Sequence, residues 1–149
     1  MVIAAPVAGR VVAMADVPDP VFASGMLGKG CGVWPSGSVV RAPAAGVVSV
    51  AMSHAVAISC DGGVELLVHV GLDTVEMGGE GFELLVSPGD HITAGQELVR
   101  VNRDKIAAAG HPDCVVVSVS NSSELAGVSL VPKPGSSVWA GQPLLSVST

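Results

Sequence analysis

Ser53-His54-Ala55-Val56-Ala57-Ile58-Ser59-Cys60-Asp61-Gly62-Gly63-Val64-Glu65-Leu66-Leu67-Val68-His69-Val70 reads as two β-branched, apolar runs around a turn. From Val64 onward Glu65, Leu67 and His69 fall on one face, and Val64, Leu66, Val68 and Val70 on the other, which is the period of a strand. Asp61-Gly62 is a strong signal for a two-residue hairpin, because a type I′ turn needs positive φ at both central positions. That turn sets a register in which Ile58 opposes Glu65, Val56 opposes Leu67 and His54 opposes His69. Directly opposed residues have Cβ atoms about 4.5–5.5 Å apart, so two imidazoles meet across the hairpin. A slip of one residue is expected to put the rings on opposite faces.

Working outward, 19 Gly and 10 Pro are spread between short Val-rich runs along all 149 residues. Many short strands and turns follow, hence an all-β antiparallel sandwich or barrel with one or two short helical turns. A helix is expected near Asn102–Ala109, capped by Asn102 or Asp104 and stopped by Gly110 and Pro112, with a second short turn after Asn121-Ser122-Ser123-Glu124. Two internal echoes imply pseudosymmetric halves. Ala5-Pro6-Val7-Ala8-Gly9-Arg10-Val11 returns as Ala42-Pro43-Ala44-Ala45-Gly46-Val47-Val48, and Pro88-Gly89-Asp90-His91-Ile92-Thr93-Ala94-Gly95-Gln96 as Pro134-Gly135-Ser136-Ser137-Val138-Trp139-Ala140-Gly141-Gln142. No linker or low-complexity tract divides the chain, so residues 1–149 are read as one domain. The Pro- and Gly-rich stretch 16–35 is read as a long surface loop carrying Phe22.

Composition excludes several classes of function. A formal net charge of −6, only 7 Lys+Arg and 3% aromatic residues leave little to grip phosphate backbones or stack on bases, so nucleic acid is not an expected partner. No run of about eighteen apolar residues is free of Gly, Pro or charge, and the N-terminus does not resemble a signal peptide, which points to a soluble cytoplasmic protein without membrane insertion. Cys31, Cys60 and Cys114 are widely spaced and are read as buried small hydrophobes.

His91 and His111 lie in turn-like contexts and are read as solvated. His54 and His69 differ, because two facing imidazoles repel when both are charged, so at least one is neutral near pH 7. Such a pair suits a phosphohistidine carrier, with one ring attacking and the other stabilising the transferring oxygens. It also suits a zinc site, with Glu65 or Asp73 as third ligand or ring orienter, or a purely structural role.

Gly63 to Val75 resembles the phosphorylation-site signature of the glucose-type enzyme IIA domains of the bacterial phosphoenolpyruvate-dependent sugar phosphotransferase system. The resemblance extends to Ala5–Gly9, Val17–Ala23, Ser53–Ala55, Gly79–Phe82 and Val115–Asn121. It implies an antiparallel β-sandwich in which His69 accepts a phosphoryl group on Nε2 from phosphorylated HPr and passes it to a cysteine of an enzyme IIB domain. It makes His54 the helper, the Gly71 carbonyl the group that fixes the His69 tautomer, and Asp73 the neighbouring acid. Met52 stands where the family commonly has a Thr that holds the facing ring, with Ser53 beside it, and Phe22, Val50, Val56 and Leu67 are expected at the partner surface. No cofactor is implied beyond the transient phosphohistidine, zinc being expected only at a partner interface, and a regulatory role is compatible with this reading. The echoes around Pro88 and Pro134 also resemble biotinyl and lipoyl carriers, which makes such a binding module the alternative, although Lys29, Lys105 and Lys133 lack the carrier hairpin context.

Overall fold

Short strands with polar, Gly-punctuated connections can bury their apolar faces only by stacking into sheets. The computed structural model describes residues 1–149. Its strands are β1 (Val2–Ala4), β2 (Gly9–Ala13), β3 (Lys29–Pro35), β4 (Val39–Arg41), β5 (Gly46–Met52), β6 (Ala55–Cys60) and β7 (Glu65–Val70). They continue with β8 (Phe82–Leu84), β9 (His91–Ile92), β10 (Glu97–Val101), β11 (Val115–Val119), β12 (Gly127–Leu130), β13 (Ser137–Val138) and β14 (Pro143–Ser148). An eight-stranded sheet runs β13-β2-β3-β11-β7-β6-β5-β9, and two three-stranded sheets run β1-β14-β12 and β4-β10-β8. All pairings are antiparallel. The main core of Val, Leu and Ile side chains includes Ile3, Ile58, Leu66, Leu98, Val117 and Leu145.

The two sequence echoes become two halves with the same wiring. β13-β2-β3 answers β9-β5-β6, and β1-β14-β12 answers β4-β10-β8, so a pseudo-twofold axis passes between β7 and β11. The halves differ in one connection. β5 reaches β6 through the tight turn Ser53-His54, whereas β2 reaches β3 through residues 14–28. That long connection is not all irregular. It holds a 3-10 turn at Met14–Asp16 and a one-turn helix, α1 (Pro20–Ala23), started by the Asp19 side chain, which accepts from Val21 N at 2.9 Å, with Pro20 at the first helical position. The sequence-based reading of 16–35 as loop is corrected further at its end, since Lys29–Pro35 is a strand inside the large sheet. Gly30 and Gly32 belong there for steric reasons: a Cβ on Gly30 would lie 1.9 Å from the Val117 carbonyl oxygen.

The expected helix is present as α2 (Arg103–Ala108), capped by Asn102 accepting from Lys105 N at 3.2 Å and stopped at Gly110, with φ of 82°. The second turn is a 3-10 turn formed by Ser122–Glu124 itself, within the expected capping stretch and not after it. Cys31, Cys60 and Cys114 are buried and unbridged, and burial pushes the Cys31 and Cys114 thiols up to about 12. His91 is exposed as expected, but His111 is not solvated, with a side chain only 15% exposed and Nε2 3.7 Å from Glu76.

The hairpin register is the main correction. The loop takes three residues, Asp61, Gly62 and Gly63, with φ of 86° and 85° at the two glycines, and closes with Cys60 N donating to Val64 O at 2.8 Å. Gly63 accepts a left-handed conformation that the two-residue turn did not require of it. The ladder is therefore shifted by one: Ala55 opposes His69, Ala57 opposes Leu67 and Ser59 opposes Glu65. Val56 and Ile58 face the core instead, at 1% and 0% exposure.

Candidate functional site

His69 sits on the outer face of β7, half-buried, between Ala55 of β6 and Val116 of β11. The chain turns sharply after it. Gly71, at φ of 76°, points its carbonyl back so that it lies 2.7 Å from His69 Nδ1. A Cβ at Gly71 would lie 2.4 Å from Thr74 Cγ2. A carbonyl oxygen only accepts, so Nδ1 carries the ring proton and Nε2 of the neutral ring keeps a free lone pair. Burial lowers the His69 pKa below 6.5; the Gly71 hydrogen bond opposes this, the His54 charge reinforces it, and Asp19 and Asp73 oppose it.

His54 reaches His69 by a route other than strand opposition. It is the second residue of the turn between β5 and β6, where the alternation of faces no longer applies, and its carbonyl accepts from Val70 N at 2.7 Å. The two imidazole centroids are 5.2 Å apart with planes at 78°. The one-residue slip thus does not separate the rings. Burial lowers the His54 pKa as well, so both rings are neutral near pH 7.

The long first-half connection supplies the third ring. α1 carries Phe22 to the edge of His69, with centroids 5.1 Å apart and planes at 62°. Phe22 is anchored by a small second core of Val17, Leu72, Cys114 and Val116 on the outer face of the sheet, with Leu67 and Trp34 packed against it. This cluster takes water away from one side of the imidazole, which is the cause of its lowered pKa. The asymmetry between the halves therefore makes the site: the tight turn brings His54, the long connection brings Phe22. By the same wiring the counterpart of His69 is Ser118, since Gly30 opposes Ser118 as Ala55 opposes His69.

Val50 and Met52 lie on the exposed surface, at 45% and 52% exposure. Val56 is corrected from the surface to the core by the register shift, and Phe22, at 4% exposure, is a wall of the site rather than an exposed rim. Leu67 is half-buried against the second core. Ser53 is half-buried, with Gly79 placed so that a Cβ on it would lie 3.0 Å from the Ser53 hydroxyl. Asp73 is exposed, at φ of 57°. Glu65 does not orient a histidine, because its carboxylate accepts from Ser59 Oγ at 2.6 and 2.8 Å. No three His, Cys, Asp or Glu side chains converge as a metal-ligand set. The residue missed in the sequence is Asp19, which both caps α1 and raises the His69 pKa; Asp19-Pro20 as a helix start was the available signal.

Residues 1–125 match the family model of the phosphoenolpyruvate-dependent sugar phosphotransferase system, EIIA 1. The chain belongs to this EIIA family. It is similar to the glucose-specific EIIA component of Staphylococcus aureus, 41% identical over 128 residues, covering 85% of this chain and 77% of that protein. It is also similar to the mannose-specific EIIBCA component of Corynebacterium glutamicum, 43% identical over 132 residues, which are 87% of this chain and 19% of that longer protein. In structure it resembles the glucose permease IIA from Mycoplasma capricolum, with a TM-score of 0.84 and 30% identity over 97% of this chain and 94% of the other. This EIIA chain is a phosphocarrier of sugar uptake and a component of a phosphotransferase, and the comparisons lend no support to a biotinyl, lipoyl or zinc-binding module.

Proposed function

We propose that His69 Nε2 is the atom that carries the phosphoryl group. The observation behind this reading is the 2.7 Å contact of Nδ1 with the Gly71 carbonyl, which leaves Nε2 unprotonated on a neutral ring. Nε2 attacks the phosphorus of phosphorylated HPr; the P–N bond to the donor histidine breaks as the new P–N bond forms, and the proton stays on Nδ1, donated to the Gly71 carbonyl. In the second half-reaction the thiolate of an enzyme IIB cysteine attacks the same phosphorus, forming a P–S bond as the P–N bond to His69 breaks. His54, facing His69 at 5.2 Å, donates to the transferring oxygens and acts mainly in the transition state.

Val50 and Met52, exposed beside the pair, belong to the surface that meets both partners. No helix of the protein is long and apolar enough to cross a membrane; transfer between HPr and an enzyme IIB domain places its work in the cytoplasm. Incubation with phosphoenolpyruvate, enzyme I and HPr is expected to give an acid-labile, base-stable adduct that disappears in His69→Ala. An adduct that persists in that variant would sink the assignment.

A further inference from the structure

The chain's only two tryptophans line one trough on the outer face of the large sheet, away from the histidine pair. Antiparallel pairing lays Trp34, Arg10 and Ser137 in a row across β3, β2 and β13. One step along, Ser36 N donates to Ala8 O at 2.8 Å, and Trp139 follows β13 at the far side. The trough encloses about 390 Å³, within the size range of small-molecule sites. Trp139 is 79% exposed, more than any other large apolar side chain of the protein. The ion pairs of the chain use Arg100, Arg103, Lys105 and His111, so Arg10 has no carboxylate partner, and no acidic residue lines the trough.

The internal repeat shows that the fold does not call for these residues. In the second half Val47 opposes His91 as Arg10 opposes Ser137 in the first. The turn after β9 is the turn after β13: Thr93 N donates to Gln96 Oε1 at 3.2 Å, and Trp139 N to Gln142 Oε1 at 3.1 Å. A valine and a threonine therefore serve the same backbone where the first half places an arginine and a tryptophan. Two indoles beside an arginine with no carboxylate partner, and two serines, make a lining that the second half does not repeat.

We propose that this trough binds a phosphorylated monosaccharide. An indole face covers the apolar C–H face of a sugar ring, the hydroxyls of Ser36 and Ser137 exchange hydrogen bonds with sugar hydroxyls, and Arg10 takes the phosphate through its fork of N–H donors. The choice of a sugar phosphate rests on the phosphocarrier reading, since sugar phosphate is what the transfer chain produces; the trough would then sense its end product.

The test uses the intact protein and its own fluorescence, which comes from Trp34 and Trp139 alone because the chain has no Tyr. Titration with glucose 6-phosphate is expected to change the emission saturably in the millimolar range. Glucose should bind about ten-fold more weakly, and inorganic phosphate should give no saturable change. R10V and W139T carry the residues that the second half uses at the same positions, so both retain the fold; each should weaken binding about ten-fold. Trp34 is left unchanged because it packs against the small second core. No saturable change, an equal response to glucose or to inorganic phosphate, a response to an acidic peptide instead, or unaltered affinity in R10V would each overturn the proposal. Phosphorylation of His69 is measured separately, so failure of the trough proposal is told apart from failure of the phosphocarrier reading on which its ligand rests.

Discussion

Gly71→Ala tests the turn that sets the chemistry of His69. The substitution puts an L-residue at φ of 76°, a left-handed conformation that costs about 1–2 kcal/mol. The new Cβ would lie 2.4 Å from Thr74 Cγ2, so Thr74 must move. Thr74 is fully buried, and its hydroxyl donates to the Val70 carbonyl at 2.6 Å; losing that bond costs about 1 kcal/mol more. The expected loss of stability is about 2–3 kcal/mol, read as a lower urea midpoint at unchanged slope. The Gly71 carbonyl cannot keep its 2.7 Å contact with Nδ1 if the turn relaxes, and a hydrogen bond worth about 1 kcal/mol shifts a tautomer ratio about five-fold. Imidazole ¹⁵N shifts should show the Nδ1-protonated form losing ground, with slower phosphorylation by HPr. An unchanged midpoint together with an unchanged tautomer would refute this reasoning.

Phe22→Ala empties the main anchor of the small second core and is expected to cost about 3–5 kcal/mol in thermal or urea unfolding. It also lets water reach His69, so the His69 pKa should rise toward 6.5 in an NMR titration; no rise would mean that burial is not what depresses it. The unfolded imidazoles, at 6.5, bind protons that folded His54 and His69 refuse, so unfolding free energy should fall as the pH drops from 6.5 through the lowered folded values and level off below them. The slope in that window should shrink in His69→Gln, and an equal slope would contradict the assignment. His54→Gln should accept phosphate from HPr yet pass it to enzyme IIB poorly, because the second imidazole acts in the transition state; normal sugar phosphorylation by this variant would remove that role. The same variant should raise the His69 pKa slightly, since the positive charge that His54 takes on as the pH falls is gone.

The strands and the histidine pair were legible because their signals are local. Alternation along Glu65–Val70 and the echoes around Gly9 and Gly46 report periods and turns that the backbone obeys directly. The register was harder, because Asp61-Gly62-Gly63 supports either a two- or a three-residue loop, and only packing decides which faces of Val56 and Ile58 go inward. His54 does not oppose His69 on the ladder, where Ala55 does; the rings meet because His54 leaves the tight turn toward the same face. Phe22 against His69 could not be read locally, since the contact joins α1 to β7 across β3 and β11. His111 beside Glu76 is likewise a long-range pairing, hidden in a segment whose Gly and Pro suggested open solvent.

The central claim is that Gly71 holds the proton on Nδ1 and so directs phosphorylation to Nε2 of His69. The most direct measurement is ¹⁵N–³¹P coupling in the phosphorylated, ¹⁵N-histidine-labelled protein. A single phosphohistidine is expected, at His69, with phosphorus on Nε2 and the proton retained on Nδ1. Phosphorus on Nδ1 of His69, or on His54, would contradict it.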